Sequence, residues 1–197
     1  MNPLQSILVK RIYRKQRGAS LIMVMMILII VSLLGISGAQ IALMSERGAR
    51  NDRDMQVAWQ AAEAALADAE FDMTNNSASR KALFDGKNRT AFVEGCGTSS
   101  SSVGLCDVTV SGKPAWLTVD FTATGSSAPT TAFGTFSGKT FKTGSVGIQP
   151  VKLPRYIIEI VEDPLDKRSL VYRVTAMGFV PRADIQAVLQ MIYRPFL

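Results

Sequence analysis

The sequence of 197 residues contains no histidine. That absence removes the commonest general base and the commonest metal ligand in proteins. The serine run 99–102 therefore has no imidazole to activate a hydroxyl. No glycine-rich phosphate loop occurs either, because the glycines at 134, 138 and 144 lie in an irregular tract. We therefore predict no catalytic, cofactor-binding or metal site, and expect that the protein is not an enzyme.

Cysteine is scarce, with only Cys96 and Cys106. The two residues fit one disulfide if the domain lies in an oxidising compartment. Closing a loop of about 11 residues stabilises a fold by roughly 3 kcal/mol in the chain-entropy model. Two free thiols are the alternative.

Acidic residues are absent from positions 1–18, which carry five of the 22 basic residues. The net charge of the whole chain is +6, but residues 19–197 hold 17 basic and 16 acidic side chains. The basic excess therefore comes from the segment that precedes the apolar run, where it indicates membrane orientation, and it does not indicate a nucleic-acid surface. We expect nucleic acid not to be a partner.

Charge is absent again from Gly18 to Ser45, a run of 28 residues. A membrane-spanning helix needs only about 20 apolar residues, so the sequence predicts such a helix over 19–45. Basic residues next to a span stay in the cytoplasm, which places the C-terminal part on the opposite side.

The junction between Arg17-Gly18 and Ala19 joins a basic leader to an apolar run. It resembles the processing site of type IV prepilins. The resemblance implies that the prepilin peptidase, a membrane aspartyl peptidase, cuts after Gly18 and methylates Ala19. Two alternatives remain: an uncleaved single-pass anchor, and a secretory signal cut before Gln40.

Proline is absent between Pro3 and Pro114, so nothing forces a break in a long helix. Beyond the apolar run, apolar residues recur at helical spacing, which predicts an amphipathic helix; they are Met55, Ala58, Trp59, Ala62, Ala65, Leu66, Ala69 and Met73, with charges at Arg50, Asp54, Glu63, Asp68, Glu70 and Asp72 between them. We predict one helix over 19–73, on the order of 80 Å long. A loop near Ser45–Gly48 is the alternative.

In the C-terminal part, the sequence predicts three strands, over 155–162, 170–178 and 185–194. Their short connections favour an antiparallel meander, and we expect the apolar stripe of the helix to cover one face of it. Weaker patterns suggest a short helix at 81–85, strands at 108–110 and 116–121, and an irregular exposed insertion over 124–149. The acids Glu159, Glu162, Asp163 and Asp166 lack the spacing of a calcium loop, so we interpret them as a solvated strand end. The expected fold class is α+β.

Three patches resemble the PilX-type minor pilins, a family of type IV pilus assembly proteins; they are Gln16-Arg17-Gly18-Ala19-Ser20-Leu21, the stalk segment from Glu46 to Glu70 around Ala58-Trp59-Gln60-Ala61-Ala62-Glu63, and Tyr172-Arg173-Val174-Thr175-Ala176-Met177-Gly178 with Ala187-Val188-Leu189-Gln190. The resemblance covers roughly the first 70 and the last 40 residues. It implies a pilin-like domain order: leader 1–18, long helix 19–73 with its membrane half 19–45, and a globular domain 74–197 outside the cytoplasm.

The same resemblance implies a function in assembly, twitching motility and cell adhesion. The expected partners are other minor pilins, the major pilin, a tip adhesin, the inner-membrane assembly platform and the prepilin peptidase. The protein would wait in the inner membrane and later lie at the pilus tip.

One position departs from the pattern of most pilins, which carry a glutamate five residues into the mature chain. This chain has Met23 there. In pilins that glutamate is thought to neutralise the N-terminal amine of a neighbouring subunit. PilX-like proteins and the tip subunit of type II secretion pseudopili are similar in lacking it, which suggests a subunit that initiates or caps a fibre. The alternatives are a type II secretion pseudopilin, a DNA-binding competence pilin and an envelope protein that never polymerises.

Overall fold

The computed structural model describes residues 19–108, 112–144, 148–165, 169–180 and 185–195. The predicted leader 1–18 lies outside the described residues. One helix and six strands follow in the order α1 (Ala19–Thr74), β1 (Val93–Glu94), β2 (Leu105–Asp107), β3 (Thr131–Ala132), β4 (Arg155–Glu162), β5 (Leu170–Phe179) and β6 (Gln186–Tyr193). The chain divides into two compact units, Met1–Gly48 and Ala49–Leu197.

The long helix is confirmed. Residues 45–48 are helical, so the alternative of a loop at Ser45–Gly48 is wrong. The helix ends where predicted: the Asn75 side chain accepts a hydrogen bond from the Ser77 N–H at 2.8 Å. Such an asparagine turn offers the backbone a partner other than the next helical carbonyl, which stops the helix.

The sheet is mixed, with the order β1-β2-β4-β5-β6 and β3 paired to β4 as well. The predicted meander is confirmed, because β4, β5 and β6 are antiparallel neighbours. On the other side of β4 lies β2, which runs parallel to both β4 and β1. Strands of two or three residues carry no period, so β1, β2 and β3 were not predicted from sequence.

Two weaker expectations are wrong. Residues 116–121 form no strand: Ala115–Leu117 is a 3-10 turn, and Phe121 is buried against the sheet. The insertion 124–149 is not uniformly exposed, because Ala128, Thr130 and Thr131 are buried and β3 lies inside it. A short 3-10 helix does occur at Lys81–Leu83. Of the strand predicted at 108–110, residues 109 and 110 lie outside the described residues.

Alternate residues of β4 face two different cores. Tyr156, Ile158 and Ile160 pack against the helix residues Ala65, Ala69 and Met73. Ile157 points to the other side, where it joins the half-cystines, Ala115, Phe121 and Phe179. The sheet is therefore covered on both faces, by the helix on one side and by the 96–121 segment on the other.

Most of the predicted apolar stripe faces the sheet, since Ala58, Ala62, Ala65, Ala69 and Met73 are buried, but two of its large residues do not. Met55 and Trp59 are 42% and 49% exposed, and the Trp59 indole N–H donates to Glu63 at 2.8 Å. Three of the acids that were expected between apolar positions, Asp54, Asp68 and Asp72, are instead buried. Alanines occupy the face against the sheet, so the helix backbone comes close to the strands.

Gly178 in β5 marks the closest approach. A Cβ built at this position would lie 2.6 Å from the Ala62 backbone nitrogen and closer still to the Ala58 carbonyl oxygen. Ala58 and Ala62 belong to a small core cluster with Val180 and Ala187. Small side chains are needed at this crossing because helix backbone and strand backbone touch.

We predict that Gly178→Ala destabilises the fold by about 1–3 kcal/mol, because rigid backbone has to move to admit the methyl group. Urea denaturation of the detergent-solubilised protein measures the loss. Gly48→Ala is the matched control: it lies in α1 with nothing within 4 Å of an added Cβ, so its stability should stay equal or rise slightly. Equal stability of Gly178→Ala and wild type would contradict the close approach.

Candidate assembly surface and the buried polar network

The first half of α1 presents apolar side chains on every face. From Leu21 to Met44, seventeen large apolar residues are each between 52% and 72% exposed. The most apolar window has a mean hydropathy of 2.7, and by length and composition the helix could cross a membrane. Burying so many side chains would contribute tens of kcal/mol, at about 1.5–3 kcal/mol each. We call residues 21–44 the apolar segment.

Both serine hydroxyls of the apolar segment are hydrogen-bonded within the helix. The hydroxyls of Ser32 and Ser37 donate to the carbonyl oxygens of Leu28 and Leu33, at 2.7 and 2.8 Å. Gly35 and Gly38 meet nothing within 4 Å of an added Cβ, so contacts within this chain do not require them. Glycines on a membrane helix allow other helices to approach closely. The segment can thus be buried in lipid or among other helices without leaving either serine hydroxyl unpaired.

The predicted site residues are not brought together in one place. Gly18 lies outside the described residues, Ala19 is the first residue of α1, and Met23 is exposed within the apolar segment. Cys96 and Cys106 form a disulfide in the other unit. The structure contains no group that would report on cleavage, methylation or subunit docking, so these roles stay predictions.

The predicted disulfide is present and closes the loop 97–105. Cys106 lies in β2 and is fully buried, and Cys96 has a positive φ of 69°. The ends of the loop are also joined by backbone hydrogen bonds: Gly97 N–H donates to the Leu105 carbonyl, and Gly104 N–H to the Gly97 carbonyl. The loop is consequently held in place, and its Val103 carbonyl becomes a fixed hydrogen-bond acceptor.

A buried ion pair connects the end of α1 to that loop. The Asp72 carboxylate accepts hydrogen bonds from the Arg80 Nε and Nη2 groups, and both side chains are at most 2% exposed. Arg80 Nη1 donates to the Val103 carbonyl at 2.7 Å, and the guanidinium stacks 3.5 Å from the Phe136 ring centre. Arg80 therefore joins the helix, the disulfide loop and the 133–138 turn.

Asp72 also accepts a hydrogen bond from the Tyr156 hydroxyl of β4 at 3.3 Å. Burial raises the pKa of Asp72, while the hydrogen bonds and charge of Arg80 oppose that rise. Burial and the neighbouring Asp72 carboxylate raise the pKa of Tyr156 well above its usual 10.0. Because the unfolded phenol loses its proton first, the fold loses stability as the pH rises past about 10.

Asp68, one helical turn before Asp72, holds a second segment. It accepts hydrogen bonds from the Gly134 N–H at 2.8 Å and from the Ser137 hydroxyl. Two acids spaced i, i+4 on α1 thus position the turn that carries Phe136. The sequence analysis named both acids but did not predict that they are buried. Their spacing places them on the same helix face as the alanines, and that spacing is the signal that could have indicated it.

The interpretation of Glu159 and Asp163 as a solvated strand end is wrong. Both are buried: Glu159 accepts two hydrogen bonds from Arg173 at 3.0 and 3.1 Å, and Asp163 accepts one from Arg194 at 2.8 Å. Glu159 also accepts the Ala115 N–H at 2.6 Å. Glu162 is exposed, and Asp166 lies outside the described residues. Within the described residues, no three acidic or cysteine side chains converge as metal ligands.

We predict that Asp72→Leu lowers the free energy of unfolding by about 3–5 kcal/mol, because it leaves the Arg80 guanidinium buried without its anion. The double variant Asp72→Leu/Arg80→Met should recover much of the loss, since it removes both charges. Urea denaturation of the four corners of this double-mutant cycle gives the coupling. Arg89→Ala is the control, because it breaks the exposed pair with Asp107 and should cost less than about 1 kcal/mol. Loss of the same size in the single and double variants would refute the pairing argument.

Comparison with protein families gives two matches. A family model described as PilX N-terminal matches residues 17–67, and one described as Type IV pilus assembly protein PilX C-term matches residues 47–195. No curated protein and no solved structure was found to match. The second match spans most of the chain, including residues 74–150, which the sequence motifs alone did not relate to any family. The two matches confirm the resemblance, and the chain belongs to the PilX family of type IV pilus assembly proteins.

Proposed function

We propose that this chain is a minor pilin of a priming or tip complex that initiates assembly of a type IV pilus. The observation that carries the proposal is the apolar segment, whose side chains have no cover within the described residues of the first unit. A bilayer and a bundle of apolar helices are both suitable environments for it. The same segment can therefore wait in a membrane and then pack among other subunits as the fibre is extruded.

The topology of the proposal follows from the charge pattern. Residues 1–18 are the cytoplasmic leader, which the prepilin peptidase removes after Gly18, and Ala19 becomes the methylated N-terminus. The segment 19–45 spans the inner membrane, and the domain 74–197 lies in the periplasm. A disulfide between Cys96 and Cys106 suits that oxidising compartment.

The family is a structural component of pilus assembly, so this chain acts by contact with other pilus components. We propose that these are the other minor pilins, the major pilin, a tip adhesin and the inner-membrane platform. The family description names the type IV pilus, which supports a pilus over a type II secretion pseudopilus.

Met23 supports the priming or tip position. A subunit that joins below an existing one would use a glutamate there to pair with the neighbour's amine, because an unpaired charge in lipid is costly. A subunit that starts or caps the fibre lacks that neighbour and is better served by an apolar side chain. Met23 is exposed on the apolar segment and is available for such contact.

We predict that the protein isolated from membranes begins at methylated Ala19. Intact mass spectrometry and N-terminal sequencing measure both features at once. A start at Gln40 would mean a released periplasmic protein. An intact Met1 would mean a plain anchor, and either result would contradict the proposed function.

We also predict that Met23→Glu reduces the number of pili on cells in which it is the sole copy of this protein. The added carboxylate would have no amine to pair with at the start of the fibre. Electron microscopy counts the pili, and Met23→Gln serves as a control of equal length without charge that should keep them. Unchanged piliation with Met23→Glu would contradict the priming role.

A further inference from the structure

The face of β4 that points away from α1 carries two buried charges, Arg155 and Glu159. Glu159 is neutralised by the two hydrogen bonds from Arg173 on β5. Arg155 is only 9% exposed, and its Nε and Nη2 groups donate to the hydroxyl and the carbonyl of Thr130. No carboxylate of the described residues pairs with Arg155.

An arginine in this state is unusual, because buried charges in proteins are normally paired. The other deeply buried arginine, Arg80, has Asp72. Glu159 cannot serve Arg155, since it lies four residues along the same strand, about 13 Å away, and already binds Arg173. Guanidinium stays protonated in proteins, although burial lowers the pKa of Arg155. Within the described residues, this buried positive charge therefore has no carboxylate partner.

Arg155 lines a cavity of about 440 Å³ between the disulfide loop, the 125–135 segment and the start of β4. Hydroxyl residues make up most of the lining, and Arg155 is its only charged side chain; the hydroxyl residues are Thr98, Ser100, Ser126, Thr130, Thr131 and Thr135. The volume is within the range of small-ligand sites. The Thr131 and Thr135 hydroxyls already donate to the Val103 and Ala132 carbonyls. An anion in this cavity would therefore meet the Arg155 cation, the remaining hydroxyls of the lining and no carboxylate of the described residues.

We propose that this cavity is an oxyanion-binding site in which Arg155 is the charge partner of a carboxylate or phosphate group. Arginine is suited to the task because its planar fork presents parallel N–H groups to the two oxygens of such an anion. Thr130 fixes the guanidinium by holding one edge of it, and the remaining N–H groups are left for the ligand. The ligand is small and hydrophilic, since the lining has no aromatic side chain and the apolar part is limited to Val103, Ala128 and Ala132.

The test is a thermal unfolding titration of the full-length protein in nonionic detergent. Sodium phosphate or sodium acetate replaces sodium chloride at constant ionic strength. A ligand that binds only the folded state raises Tm, by about 3–6 °C at roughly ten times its Kd. We expect a saturable rise for wild type with at least one of the two anions. No rise with either anion would overturn the proposal.

Two variants separate binding at Arg155 from the general stabilising effect of phosphate on proteins. Arg155→Gln should lose the rise, while Arg89→Gln, which removes an exposed cation elsewhere, should keep it. Ser126→Asp places a carboxylate in the exposed part of the lining, where folding tolerates it, and should also abolish the response. If Ser126→Asp and wild type respond equally, or if Arg155→Gln folds and responds like wild type, the site is not at Arg155.

The oxyanion can come from a free small molecule or from an acidic side chain of another pilus component. A third titration uses a peptide that is blocked at both ends and carries one glutamate, with the glutamine peptide as control. A response to phosphate alone indicates a free tetrahedral anion. A response to acetate and to the glutamate peptide indicates a protein carboxylate, and both results support the oxyanion site.

Discussion

The pairing of Asp72 with Arg80 is the interaction on which the arrangement of the second unit depends. A guanidinium inside a protein requires an anion and hydrogen-bond acceptors within reach, or the fold loses several kcal/mol. Asp72 can supply the charge only if the chain returns to the helix immediately after α1 ends. The Val103 carbonyl can accept from Arg80 only if the disulfide loop is fixed. Arg80 thus fixes the segment that follows α1 and, together with the disulfide, the loop 97–105.

Two acids on the buried face of α1 each bind a neighbouring segment of the chain. Asp68 and Asp72 bind the segments that cover the helix, and the alanines around them let the sheet come close. On the strand side, Gly178 allows the same close packing, because the backbone of β5 touches the backbone of α1 there. Close backbone packing and buried ion pairs replace the large apolar side chains that an amphipathic helix normally presents to its core.

In the apolar segment, by contrast, large apolar side chains are exposed and no buried charge is involved. Its large side chains are exposed and its hydroxyls are satisfied within the helix, so its requirements are met only by surroundings as apolar as itself. This is the property that an assembly protein needs, since lipid and the helices of other subunits are interchangeable partners for such a surface. Arg155 differs from both: among the described residues no carboxylate pairs with it, and it lines a cavity rich in hydroxyl side chains.

The sequence by itself determined the elements with long, regular periods. The uncharged run and the helical spacing after it predicted α1 to within one residue of Thr74, and runs of β-branched and aromatic residues between turn segments predicted β4, β5 and β6. The two cysteines allowed a disulfide but left two free thiols open. Only the tertiary structure decided which charges are buried and which of them are paired. The sequence does not distinguish the pairs Asp72–Arg80 and Glu159–Arg173 from Arg155, which has no carboxylate partner among the described residues. A charge becomes buried through contacts between segments distant in the chain, and local periodicity does not contain those contacts.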